Sequence, residues 1–122
     1  MRQLEHQQQA ALFRWAAYQV KARPELALMF AIPNGGLRSK ATAGKLKAEG
    51  VKAGVPDIFL PVPSTSRGVA YSGLWIEMKA GRNIPTVKQN EWRVKLSQQG
   101  YRTVVCWSWE SARDVIEEYL GG

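Results

Sequence analysis

The segment GLWIEMKAG, residues 73–81, constrains the fold more than any other part of the chain. Its aliphatic side chains occupy every second position, which are Leu74, Ile76 and Met78. Trp75, Glu77 and Lys79 occupy the positions between them. Strict alternation is typical of a β-strand with one face packed against apolar residues. The segment therefore predicts a sheet covered on one side, with Glu77 and Lys79 projecting together from the other face.

The rest of the chain predicts helices and further strands around this segment. The patterns predict a first helix over residues 4–20, a buried strand over 26–32, a modest helix over 39–49 ended by Gly50, and a strand over 57–62. After the turn-rich STSRG stretch and the strand at 73–81, they predict a helix from the N-cap Thr86 to about Gln99, a strand over 101–107 and a last helix over 110–120. This order predicts an α/β fold in which helices flank a mixed central sheet. A chain of 122 residues suits a single domain spanning residues 1–122.

The charge of the chain favours a polyanionic partner. Lys and Arg number 17 against 10 Asp and Glu, which gives a formal net charge of +7. Clustered cations bind phosphates with release of counterions, so nucleic acid is favoured over a membrane surface. The candidate DNA-binding residues are Arg38, Lys40, Lys45, Lys47 and Lys52, together with the Asn34, Gly35 and Gly36 loop, whose backbone N–H groups can approach a phosphate. The alternatives are a solvated basic face and a simple turn.

Several classes of protein are excluded or disfavoured. No run of about 18 apolar residues exists to span a membrane. The single cysteine, Cys106, excludes an intrachain disulfide framework and a CxxC-type zinc site. The N-terminal residues MRQLEHQQQ lack the apolar core of a signal peptide. We therefore expect a cytoplasmic protein, bacterial or phage-encoded, with no membrane partner.

The candidate chemistry lies in Asp57, Glu77 and Lys79. Asp57 opens one predicted strand, and Glu77 and Lys79 share one face of the next. If these strands pair, two carboxylates and an ammonium group meet, and a hard cation such as Mg²⁺ relieves the repulsion between the carboxylates. Asp57 and Glu77 would then bind the metal, the backbone carbonyl of Met78 would complete the protein ligands, and Lys79 would orient the attacking water. A Glu-x-Lys triplet alone is weak evidence, and a surface ion cluster without chemistry is the alternative.

These residues resemble a known family. Pro56-Asp57 followed by Glu77-Met78-Lys79 resembles the PD-(D/E)xK nuclease superfamily. Further positions resemble the stand-alone form of the VRR-NUC family, the virus-type replication-repair nucleases, over roughly residues 3–109: Glu5 and Gln9, Pro33-Asn34-Gly35-Gly36, Gly54-Val55-Pro56-Asp57, and Gln89. The resemblance implies a restriction-endonuclease-like core and Mg²⁺- or Mn²⁺-dependent cleavage of DNA. It also implies a homodimer acting on branched DNA, in the manner of a Holliday-junction resolvase.

The resemblance adds two residues to the expected site. It implies that Glu5 reaches the metal, directly or through water, and that Gln89 is an active-site glutamine. Glu5 could otherwise complement the dipole of the first helix, and Gln89 could be an ordinary exposed helix residue. Two other functions stay open on the sequence: a nucleic-acid-binding module without catalysis, and a nuclease of flap or restriction type.

Overall fold

The computed structural model describes residues 2–33 and 40–121. Four helices are present in this part of the chain: α1 (Arg2–Gln19), α2 (Lys40–Ala48), α3 (Val87–Gln98) and α4 (Trp109–Tyr119), with a 3₁₀ helix at Pro24–Leu28. The strands are β1 (Phe30–Ala31), β2 (Ile58–Leu60), β3 (Ser64–Ser66), β4 (Val69–Tyr71), β5 (Leu74–Met78) and β6 (Arg102–Cys106). None of the described helices is long and apolar enough to cross a membrane. The α/β fold class expected from the sequence is confirmed.

The main sheet has four strands in the order β1-β2-β5-β6. β1, β2 and β5 pair antiparallel, whereas β5 and β6 pair parallel, so the sheet is mixed. Ile58 in β2 lies opposite Ile76 in β5. In an antiparallel register the next pair outward is Asp57 and Glu77, so the pairing of these two strands brings the two acidic residues face to face.

The alternation in β5 separates a core face from a polar face. The side chains of Leu74, Ile76 and Met78 are fully buried. They join one apolar cluster with residues of α1 and α4, among them Leu12 and Ile116. Helices α1 and α4 therefore cover one face of the sheet, and Glu77 projects from the other, where α3 lies.

Two helix ends predicted from the sequence are confirmed. Thr86 is the N-cap of α3, and its hydroxyl accepts a hydrogen bond from the N–H of Gln89. After α2, Gly50 adopts a φ of +101°, a conformation that favours glycine. The N–H groups of Gly50 and Val51 donate to the carbonyls of Lys47 and Leu46, which is the Schellman pattern of helix termination.

The predicted buried strand over residues 26–32 is wrong. Pro24 opens a 3₁₀ helix, and only Phe30 and Ala31 form a strand, with both side chains exposed. Leu26 and Met29 are buried and three residues apart, which is the period of a 3₁₀ helix. A short apolar run cannot distinguish this arrangement from a strand, because the two periods differ by one residue.

The STSRG stretch is more than a turn, because it forms the first strand and the turn of a two-stranded hairpin, β3 and β4. Arg67 and Gly68 connect the strands, and both have positive φ values, of 52° and 78°. Positive φ at both central residues is the requirement of the tight type I′ hairpin turn. The predicted strand over 57–62 is also shorter, Ile58–Leu60, since Pro61 and Pro63 have no N–H to donate to a neighbouring strand.

Candidate active site

Asp57 and Glu77 form the centre of the site. Asp57 Oδ2 accepts a hydrogen bond from the Met78 N–H at 2.8 Å, which fixes the aspartate against β5. The backbone carbonyl of Asp57 accepts from the Ile32 N–H at 2.7 Å. Glu77 is only 2% exposed. The sheet thus holds two carboxyl groups opposite each other, one of them buried.

Burial and mutual repulsion govern the protonation of this pair. Burial, together with the charge of the neighbouring Asp57, raises the pKa of Glu77 to about 8, against the opposing effect of Lys79. Burial also raises the pKa of Asp57, although the hydrogen bond from the Met78 N–H opposes this rise. At neutral pH and without a cation the pair therefore retains a proton.

The two oxygens of Glu77 have different surroundings. Oε2 lies 3.7 Å from Lys79 Nζ and accepts a hydrogen bond from Gln89 Nε2 at 3.1 Å. Oε1 is buried and has no N–H or hydroxyl donor, and the only group of the described chain that can hydrogen-bond to it is the carboxyl of Asp57 when the pair shares a proton. A buried oxygen without a donor is costly unless a proton or a cation occupies it. Oε1 is therefore the oxygen available to a metal ion.

A capping interaction at the start of α3 fixes the orientation of Gln89. Gln89 Oε1 accepts from the Thr86 N–H at 2.8 Å while the Gln89 N–H donates to the Thr86 hydroxyl at 3.1 Å. With its amide oxygen held in this capping box, the amide nitrogen of Gln89 is left to donate to Glu77. Sequence reasoning identified Thr86 as a helix cap but missed its link to the site, for which the Thr-x-x-Gln spacing was the available signal.

Glu5 lies near the pair but is held by another residue. Its Oε2 accepts from Asn83 Nδ2 at 2.8 Å. Its negative charge raises the pKa of both Asp57 and Glu77, so it is within electrostatic range of them. The Asn83 carbonyl in turn accepts from the indole N–H of Trp107 at 2.8 Å. Sequence reasoning missed Asn83, because no local pattern marks a loop residue that contacts a helix 78 positions earlier.

The donor set fits a hard divalent cation. Within residues 2–33 and 40–121, no three His, Cys, Asp or Glu side chains gather at one point, and the carboxylates that lie opposite each other at this site are those of Asp57 and Glu77. Mg²⁺ commonly binds one or two carboxylates and keeps several waters. The Met78 N–H faces Asp57, and the carbonyl of the same strand residue lies on the same edge of β5. Asp57, Glu77 Oε1 and the Met78 carbonyl could therefore hold the ion.

The predicted DNA-binding residues are only partly within the described chain. Asn34, Gly35, Gly36 and Arg38 lie outside the described residues, as does the side chain of Lys40. Lys45 and Lys47 are exposed on α2, and Lys52 is exposed in the loop that leads towards Asp57. Their contact with DNA stays a prediction.

A comparison with known proteins identifies a structural relative. No protein-family model matches the chain, and no curated protein matches it. A solved structure described as a VRR_NUC domain protein superimposes with a TM-score of 0.77. The two sequences are 31% identical, and the similarity covers 95% of this chain and 87% of that one.

Proposed function

The chain belongs to the VRR-NUC family of nucleases, and from this premise we propose that it is a Mg²⁺-dependent, structure-specific DNA endonuclease. The observation that carries the proposal is the register of β2 and β5, which sets Asp57 against Glu77 with Lys79 beside them. A buried glutamate paired with a half-buried aspartate, both with raised pKa values, is typical of a functional site.

The metal supplies the part of the chemistry that side chains alone do poorly. Bound Mg²⁺ or Mn²⁺ lowers the pKa of water and neutralises charge on phosphoryl oxygens. Asp57, Glu77 and the Met78 carbonyl would hold it, and Glu5 would approach it directly or through water.

Lys79 and Gln89 act on the groups around the ion. Lys79 is 7% exposed and its ammonium lies 3.7 Å from Glu77 Oε2, so the charge is held close to the carboxylates in a place of little solvent screening. There it orients the attacking water and stabilises negative charge that develops on the phosphate. Gln89 Nε2 donates a hydrogen bond to Glu77 Oε2, so the other carboxyl oxygen, Oε1, points away from the Gln89 side chain.

Branched DNA is the proposed substrate, and a homodimer is the proposed active form. A two-fold dimer presents two equal sites, which suits the symmetry of a four-way junction. The net charge of +7 and the exposed Lys45, Lys47 and Lys52 support binding to a polyanion.

The test is cleavage of labelled four-way-junction, flap and linear duplex DNA with Mg²⁺, with Mn²⁺ or with EDTA. Native protein should cut in a metal-dependent way, and Lys79→Ala should lower the rate by at least about 100-fold. Lys21→Ala is the matched control, because Lys21 follows the far end of α1 and is exposed. Paired symmetric cuts in the junction alone would support resolvase activity.

Two results would contradict the proposal in different ways. Cutting of flap or linear DNA in preference to the junction would support nuclease activity but contradict the proposed specificity for junctions. Salt-sensitive binding without cutting of any substrate would favour a non-catalytic nucleic-acid-binding module.

A further inference from the structure

An apolar groove of about 410 Å³ is lined by residues of β5, of α3 and of the loop that precedes Asp57. We call it the tryptophan groove, because Trp75 and Trp92 contribute its two large rings. Ile32, Val55 and Leu96 are among the aliphatic residues that line it, and the charged residues Glu49 and Lys52 line the same groove. The proposed chemistry at Asp57, Glu77 and Lys79 does not use these residues.

The groove is continuous with the site because two elements contribute to both. On β5, Trp75 precedes Glu77 by two residues, so both side chains project from the same face about 7 Å apart. On α3, Trp92 follows Gln89 by three residues, which is about one helical turn. β5 therefore places Trp75 on the same face as Glu77, and α3 places Trp92 about one turn from Gln89.

Both rings are held in place by their own contacts. Trp75 stacks on Phe59 with ring centroids 4.2 Å apart and an interplanar angle of 21°. The Trp92 indole N–H donates to the Ala53 carbonyl at 3.1 Å. Rings ordered before a ligand arrives lose little conformational freedom on binding, which favours recognition of a flat apolar partner.

We propose that the tryptophan groove binds the base of a nucleotide adjoining the scissile phosphate, an inference that rests on the proposed nuclease function. A nucleobase offers an apolar π face that stacks on indole rings, while the backbone phosphates of the same nucleotide suit the neighbouring Lys52. Bases inside a duplex are covered by their neighbours. The groove therefore selects DNA in which the nucleotide beside the cut is unpaired or readily unstacked, as at a branch point or in a single strand.

The test is binding without metal, so that cleavage cannot interfere. A short single-stranded oligodeoxynucleotide should bind the native protein about tenfold more tightly than a fully abasic strand of equal length, because only the first can stack. Val51→Trp should reduce this difference to about twofold or less by filling the groove, which Val51 lines. Val69→Trp is the matched control, since Val69 is an exposed valine on the β4 hairpin.

The outcomes separate this inference from the proposed function. Equal binding of the normal and abasic strands by the native protein would overturn the groove assignment, whether or not the protein cuts DNA and whether or not Val51→Trp folds. If binding depends on the bases, Val51→Trp abolishes that dependence and no metal-dependent cleavage occurs, the result would support base binding in the groove and contradict the proposed nuclease activity. Sedimentation showing that Val51→Trp breaks a DNA-free dimer would assign the groove to contact between two copies instead, and so would overturn the inference.

Discussion

Glu77 combines burial with a chemical role. Its carboxyl group is almost inaccessible to solvent, is repelled by Asp57 and retains one oxygen without a hydrogen-bond donor. Each of these features disfavours the charged form in the absence of a cation. A divalent ion would favour the charged form, so the residue that lowers the stability of the metal-free protein is the one that a bound cation would stabilise most.

The raised pKa of Glu77 predicts a pH-dependent stability. Unfolding returns this pKa from about 8 to 4.5, so between these values the folded state binds more protons than the unfolded state. The stabilising contribution is complete below pH 4.5 and is lost as pH rises through 8. We expect the melting temperature of the metal-free protein to fall by about 5 °C or more between pH 5 and pH 8.

Calorimetry of native protein and Glu77→Gln checks this prediction. The variant should lose most of the pH dependence, and Mg²⁺ should restore stability at pH 8 to the native protein alone. A native melting temperature that stays level or rises over this range would contradict a raised pKa.

At the scale of elements, α3 links its own N-terminal cap to the site. The capping box that begins the helix also directs the Gln89 amide towards Glu77. Thr86→Ala should lower the free energy of unfolding by about 1 kcal/mol through loss of the cap. It should also weaken metal binding several-fold, because the Gln89 N–H loses the Thr86 hydroxyl as its acceptor and the first turn that positions the Gln89 side chain is held less firmly.

Thr86→Ser is the control for this prediction, since serine retains the capping hydroxyl. Urea denaturation measures the first effect and Mn²⁺ titration followed by electron paramagnetic resonance measures the second. A variant with weakened stability but native metal affinity would show that the cap serves the helix alone.

The close approach of the 53–54 loop to α3 gives a second prediction at this scale. Gly54 has a φ of +94°, and a Cβ there would lie 2.7 Å from Lys88 Cγ and 3.0 Å from the Trp92 ring. Gly54→Ala should therefore destabilise the fold by about 1–3 kcal/mol, through backbone strain and displacement of Trp92. Gly44→Ala is the matched control, because a Cβ at this helical glycine meets nothing within 4 Å and alanine favours the helix. Urea denaturation should separate the two variants, and equal stabilities would contradict the packing argument.

At the scale of the whole molecule, symmetry and charge set the expected assembly. If the protein acts on four-way junctions as a two-fold dimer, light scattering should give about twice the chain mass of 13.6 kDa. DNA affinity should also fall steeply with salt, as phosphate contacts release counterions. A monomer at micromolar concentration would contradict the junction mechanism while leaving nuclease activity possible.

Some elements could be predicted because their signals are local. β5 has aliphatic side chains at every second position, and α3 begins with the N-cap Thr86. Both elements lie where these local patterns predict them. The hairpin of β3 and β4 was missed because Arg67 takes a positive φ that only its pairing context imposes. The 3₁₀ helix at Pro24–Leu28 was mistaken for a strand because burial of Leu26 against the core, and not its local sequence, decides the period.

The sequence by itself determined the chemistry available to this protein: the Glu77 and Lys79 face of a strand, an aspartate at the start of another, and an excess of positive charge. Side-chain type and strand periodicity are properties of the chain alone, so these features follow directly from the amino-acid sequence. Only the tertiary structure decided that Asp57 lies opposite Glu77, that Asn83 holds Glu5, and that one oxygen of Glu77 is left without a donor. These contacts join residues distant in sequence, and register, burial and desolvation exist only once the elements have packed together.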